Sequence, residues 1–123
     1  PALALPTNIE SMGWSPDGTR LAVRESFDFE VYDPRSGERL AHQRLSDPAN
    51  GSICYSPGGK YLVINGFTGP NGLKPGFGVQ IWDGEATKLL QEIHGDTAGI
   101  AFSPDSRYLA VAKRGRIEIW QFK

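Results

Sequence analysis

Two histidines, one cysteine and a recurring Ser-Pro pair are the residues of this chain whose types suggest chemistry. His42 and His94 each lack a second histidine at metal-ligand spacing, so no metal site is expected. Asp96 stands close enough to His94 to orient its ring, but no activated nucleophile lies in sequence reach and no G-x-S-x-G elbow occurs. Cys54 is single, which excludes an intramolecular disulfide and a cysteine zinc cage. It sits in the apolar run Ile53-Cys54-Tyr55, where a thiol acts as a small buried hydrophobe. Ser15, Ser56 and Ser103 recur in one context, each before a proline, which marks them as turn residues rather than nucleophiles. Asn50-Gly51-Ser52 has the form of a glycosylation sequon and reads as a turn. No catalytic residue, cofactor or metal is expected, and the chain is read as a non-enzyme.

Binding chemistry is better represented. Residues 66–78 read GFTGPNGLKPGFG and carry Phe67, Asn71, Leu73, Lys74 and Phe77. Long loops on rigid scaffolds are where binding residues gather. These glycines form neither a G-x-G-x-x-G nor a Walker pattern, so no phosphate cradle is expected. A basic tip, Lys113-Arg114-Gly115-Arg116, stands where an earlier segment has the acidic Glu25 and Asp28. Arg114, Arg116 and Asp28 are thus candidate contacts, with solvated turn charges as the alternative. The loop likewise reads either as a binding loop or as a hairpin tip or subunit contact.

These residues must be positioned by strands. The chain has 123 residues, with 15 Gly and 9 Pro falling between short runs of Val, Ile, Leu, Tyr and Trp. That distribution gives many turns and an all-β fold with room for a core. Residues 99–121 show it most clearly: three apolar runs parted by Ser103-Pro104-Asp105-Ser106 and by the basic tip, a β-meander. The phrase occurs three times without a gap: MGWSPDGTRLAV from Met12, ICYSPGGKYLVI from Ile53 and IAFSPDSRYLAV from Ile100. Each reaches a third strand ending in an aromatic: Tyr32, Trp82 and Trp120. Repetition at about 40–47 residues means a solenoid, propeller or array. Side chains alternate along a strand, so Met12, Ile53 and Ile100 share a face with Trp14, Tyr55 and Phe102, while Gly13, Cys54 and Ala101 face the other way. A large face and a small face suit a sheet packed between two neighbours. Fourth strands are expected over 38–45 and 88–93, and residues 1–5 read as a further one.

The Ser-Pro-Asp-Gly turn, the small residue in the first strand and the Trp82-Asp83 ending resemble WD-repeat β-propellers over nearly the whole chain. Tyr32-Asp33 and Trp120-Gln121 stand where that family has Trp-Asp, and its Gly-His appears only reversed, as His94-Gly95. The resemblance is therefore to the looser, bacterial-type version of the repeat, and it does not by itself imply the family's buried His–Ser–Asp–Trp network. It implies one propeller unit over 1–123: blade 1 over 9–46, blade 2 over 49–95, and blade 3 over 98–123 without its own outer strand. Residues 1–8 would be the outer strand donated to a third blade. Trp14, Tyr32, Tyr55, Trp82, Phe102 and Trp120 are the structural aromatics. The resemblance also puts residues 66–78, the basic tip and Asp28 on one face, around the channel.

Three blades leave two apolar faces open, and propellers have four to eight blades. Closure as a six-bladed homodimer is expected, with the N-terminal strand exchanged between copies. The function so implied is a binding or scaffold module that self-assembles and takes a protein or peptide partner. The alternatives are the propeller portion of a peptidase or hydrolase, and an excised or designed fragment. A net charge of −1 argues against nucleic acid and anionic membranes as partners. No signal peptide or membrane-spanning helix is visible in the given residues, and the compartment is left open, with the cytoplasm slightly favoured. The start at Pro1 agrees with a processed or cut chain.

Overall fold

The Ser-Pro turns fold the chain back through their own side chains. The Ser15 hydroxyl donates to Asp17 Oδ1 at 2.8 Å and accepts the Arg20 amide at 2.9 Å. The Ser103 hydroxyl donates to Asp105 Oδ1 at 2.7 Å and accepts the Tyr108 amide at 3.0 Å. Ser56 accepts the Tyr61 amide at 3.0 Å. The fourth turn position is left-handed in all three: φ is 74° at Gly18, 78° at Gly59 and 63° at Ser106. Glycine meets that demand at no steric cost, whereas Ser106 bears it.

The structure, a computed structural model, describes residues 9–25, 27–44, 51–66, 78–95, 97–113 and 115–122. Sheet one runs β1 (Ser11–Trp14), β2 (Leu21–Arg24), β3 (Asp28–Tyr32) and β4 (Arg39–Arg44) in that order. Sheet two runs β5 (Ile53–Tyr55), β6 (Tyr61–Gly66), β7 (Gly78–Asp83) and β8 (Leu89–Ile93). Sheet three holds β9 (Thr97–Phe102), β10 (Tyr108–Lys113) and β11 (Arg116–Gln121), with β10 central. All pairs are antiparallel neighbours in sequence, an order that needs no crossover connection. The expected fourth strands are β4 and β8, and each carries a register shift opposite the aromatic of the third strand. The strand expected over residues 1–8 lies outside the described residues.

The core is two joints between sheets. In the first, Ala22, Phe29 and Val31 of sheet one meet Ile53, Leu62 and Ile64 of sheet two, with Tyr55 and Trp82 packed on them. The Phe29 and Trp82 rings meet edge to face at 5.1 Å. Gly13 lets β1 approach β5 closely, since a Cβ there would lie 3.2 Å from the Ile53 carbonyl oxygen. In the second joint, Val63, Val79, Ile81 and Ile93 meet Leu109 and Val111, with Phe102 and Trp120 alongside. Burying each such aliphatic side chain contributes about 1.5–3 kcal/mol. In both joints the large face of the later sheet receives the smaller face of the earlier one.

The two outer faces carry the same residue types uncovered. Met12 and Trp14 are 61% and 58% exposed, and Ile117 and Ile119 are 69% and 62% exposed. Trp14, expected as a structural aromatic, therefore differs from its counterpart Tyr55. Tyr55 lies in a joint, and among the described residues no sheet covers Trp14.

Candidate functional site

The connections from second to third strand all leave the sheets at the end opposite the Ser-Pro turns. Of the residues expected to bind there, Phe67, Asn71, Leu73, Lys74, Phe77 and Arg114 lie outside the described residues. Asp28 and Arg116 are described, at the starts of β3 and β11 on separate sheets.

Asp28 is engaged across its own sheet. Its Oδ2 lies 2.7 Å from His42 Nε2 on β4. The β3–β4 register sets Glu30 opposite His42, so three ligand-type side chains share one face. Ligand atoms of Asp28, Glu30 and His42 lie within 4.8 Å of one another. Oxygen and imidazole donors of this kind suit a divalent cation. Each carboxylate already has a partner, however: Asp28 the His42 ring, and Glu30 the Tyr32 hydroxyl. Burial, helped by Glu30, pushes the Tyr32 phenol up to about 12.

Arg116 is engaged too. Its Nη2 lies 2.9 Å from Glu118 Oε2, while Lys113 Nζ lies 3.2 Å from Glu118 Oε1. Lys113 also donates to the His94 carbonyl at 2.9 Å. Lys113, then Arg116 and the Trp120 indole, hold the Glu118 carboxyl below the usual range. The basic tip is thus partly neutralised by its own sheet, as solvated turn charges commonly are.

One arrangement recurs that the sequence reading passed over. The aromatic ending each third strand donates to the residue two positions earlier, on the same face. Tyr32 donates to Glu30, Trp82 to Gln80 Oε1 at 3.1 Å, and Trp120 to Glu118 Oε1 at 3.3 Å. Gln80 passes the bond on to Glu92 Oε2 at 3.0 Å. The signal was present as Glu30-Val31-Tyr32, Gln80-Ile81-Trp82 and Glu118-Ile119-Trp120.

Arg24 was also passed over, as the last residue of an apolar strand. It is fully buried and donates to the Asn65 carbonyl and, at 3.4 Å, to the Ser52 carbonyl. Asn65 Oδ1 accepts the Ser52 amide at 2.9 Å and its hydroxyl at 3.1 Å, and Ser11 Oγ accepts the Ile53 amide at 3.2 Å. Burial lowers the guanidinium to about 10, so it stays charged at neutral pH. This polar cluster ties sheet one to sheet two at the loop end.

A family model described as "Eukaryotic translation initiation factor eIF2A" matches residues 2–122. No curated protein matches the chain. Among solved structures, the chain is similar to the WD40 domain of Toxoplasma gondii coronin: TM-score 0.71 and 16% identity over 97% of this chain and 33% of that one. It is also similar to a eukaryotic initiation factor, with TM-score 0.66 and 19% identity over 98% of this chain and 30% of that one. At these identities the likeness is one of fold, and the three sheets are WD40-like propeller blades. The chain spans about a third of the length of these solved propellers.

Proposed function

The chain belongs to the eukaryotic translation initiation factor eIF2A family, and from that premise we propose that it is a non-enzymatic scaffold, three blades of a closed ring that holds protein partners in translation initiation. The observation that carries this reading is the pair of open apolar faces. Met12 and Trp14 occupy on sheet one the positions that Ile53 and Tyr55 fill inside the first joint. Ile117 and Ile119 occupy on sheet three the positions of Phe29 and Val31. A large face at one end and its complement at the other call for further blades between them.

A second copy supplies them in the most economical way: two chains head to tail repeat the same joint twice and close six blades with twofold symmetry. Further blades of a longer polypeptide are the second source, favoured by the third of a solved propeller that this chain spans. Light scattering separates the two. A mass near twice 13.5 kDa supports the dimer, while a folded monomer overturns it and leaves the longer ring. The scaffold role is tested by sedimenting the chain with a translation extract. Co-migration with initiation complexes is expected, and a chain that sediments alone in every fraction would overturn that role.

A further inference from the structure

At the Ser-Pro end of the first joint, away from the loops, sheets one and two enclose a groove of about 700 Å3. Val31, Leu40 and the Tyr55 ring give it an apolar side. The Tyr55 hydroxyl is buried there and has no hydrogen-bond partner among the described residues. An orphaned buried hydroxyl is costly in a native protein, and a ligand atom relieves that cost.

The charges on the walls differ in how far they are already used. Asp17 Oδ1 takes the Ser15 hydroxyl and both the amide and hydroxyl of Thr19. Asp83 takes the amide and hydroxyl of Thr87 and the Lys88 amide. These carboxylates hold their own turns. Arg20 commits one nitrogen to the Thr19 carbonyl at 2.7 Å, and Lys60 lies over the Tyr61 ring at 5.6 Å. Among the described residues neither cation makes an ion pair within 4.0 Å, although Arg20 helps to lower the Asp33 carboxyl from a distance.

We infer that this groove binds a peptide segment of a partner protein that carries one carboxylate beside an apolar side chain, with Arg20, Lys60 and the Tyr55 hydroxyl taking the carboxylate and Leu40 the apolar neighbour. The exposed Glu85 on the rim opposes a run of acidic residues. The volume lies within the range of ordinary ligand sites. This inference does not rest on how the outer faces are closed, because both walls belong to blades packed within the chain.

The test is fluorescence anisotropy with the full chain and an array of labelled five-residue peptides. Each has a central Asp or Glu next to Leu, Ile or Phe, and each is paired with its Asn or Gln counterpart. Acidic members are expected to bind, and their amides to bind about tenfold more weakly, as charge-assisted hydrogen bonds require. Arg20→Gln is expected to weaken binding by about tenfold and Tyr55→Phe by several-fold. The melting temperature of Tyr55→Phe stays equal or rises, because its hydroxyl has no partner to lose. Equal binding of acid and amide peptides, no binding by any acidic member at millimolar concentration, or unchanged binding by folded Arg20→Gln would each overturn the inference.

Discussion

The Trp82 indole donates to Gln80 Oε1 at 3.1 Å from two positions along the same face of β7, and the Gln80 amide in turn donates to Glu92. Gln80 is only 5% exposed, so water does not readily replace it. Gln80→Leu is expected to destabilise the chain by about 1–3 kcal/mol, because it strands the indole N–H. Urea unfolding gives the value. Adding Trp82→Phe removes the stranded donor, and its cost should fall short of the sum of the two single changes.

Glycine tolerance separates crowding from backbone conformation. Gly78 opens β7 at φ 85°, and a Cβ there would run into the Ile93 carbonyl oxygen. Gly18 has nearly the same φ, 74°, but its Cβ would meet nothing within 4 Å. Gly18→Ala should cost about 1–2 kcal/mol from the left-handed backbone alone. Gly78→Ala should cost about 2 kcal/mol more, since main-chain atoms must move. Paired thermal melts read the difference, and equal shifts would contradict the crowding at Gly78.

Acid should act through the turns. The Thr19 amide, then the Thr19 and Ser15 hydroxyls, hold the Asp17 carboxyl down at about 2, below its ordinary 3.8. Asp105 is lowered in the same way by the Ser103 hydroxyl and the Arg107 amide. A carboxylate whose pKa is lowered on folding contributes stability that is complete above its unfolded value and lost as pH falls through the folded one. The loss is therefore expected between about pH 4 and pH 2. Asp17→Asn should flatten that part of the curve of melting temperature against pH.

The turns, the meanders and the two-faced sheets were legible because their causes are local. A Ser-Pro-Asp-Gly phrase holds its own hydrogen bonds, and alternation along a strand needs no partner. The contact of Asp28 with His42 was not legible, since it depends on the β3–β4 register, fourteen positions apart in sequence. Arg24 ends an apolar run and looks like the edge of a strand. Only the approach of the next sheet puts the Ser52 and Asn65 carbonyls beside it. The exposure of Trp14 is not a local property at all, because it is set by what lies over sheet one. The eIF2A family was illegible for a related reason: the repeated residues build blades, and blade residues are shared by propellers of many functions.

Arg24 should behave as a clamp of the first joint. It is fully buried and donates to carbonyls of the neighbouring sheet, so Arg24→Met keeps much of the volume but leaves those carbonyls without their charged donor. A loss of about 2–3 kcal/mol is expected, as for hydrogen bonds to a charged group. Arg24→Lys should recover only part of it, because a point ammonium lacks the planar fork. Hydrogen exchange of the Ile53 and Asn65 amides checks the location: both should lose protection before the amides of β10 and β11.

The last prediction concerns the open face of sheet three. Val31 and Ile81 precede the third-strand aromatics of sheets one and two and are 2% and 1% exposed, whereas Ile119, in the same place on sheet three, is 62% exposed. A lysine at Val31 would bury a charge inside the first joint and should abolish folding. Ile119→Lys adds its charge where the sheet is uncovered, so in an isolated chain it should shift stability by no more than about 0.5 kcal/mol. In a closed ring the same change buries the charge in a joint. The two variants, followed by light scattering and thermal melting, thus report on closure directly. An Ile119→Lys chain that stays folded but loses its higher-mass form and melts below the parent means the face is a joint. One that keeps both its mass and its melting temperature means that no second copy covers it.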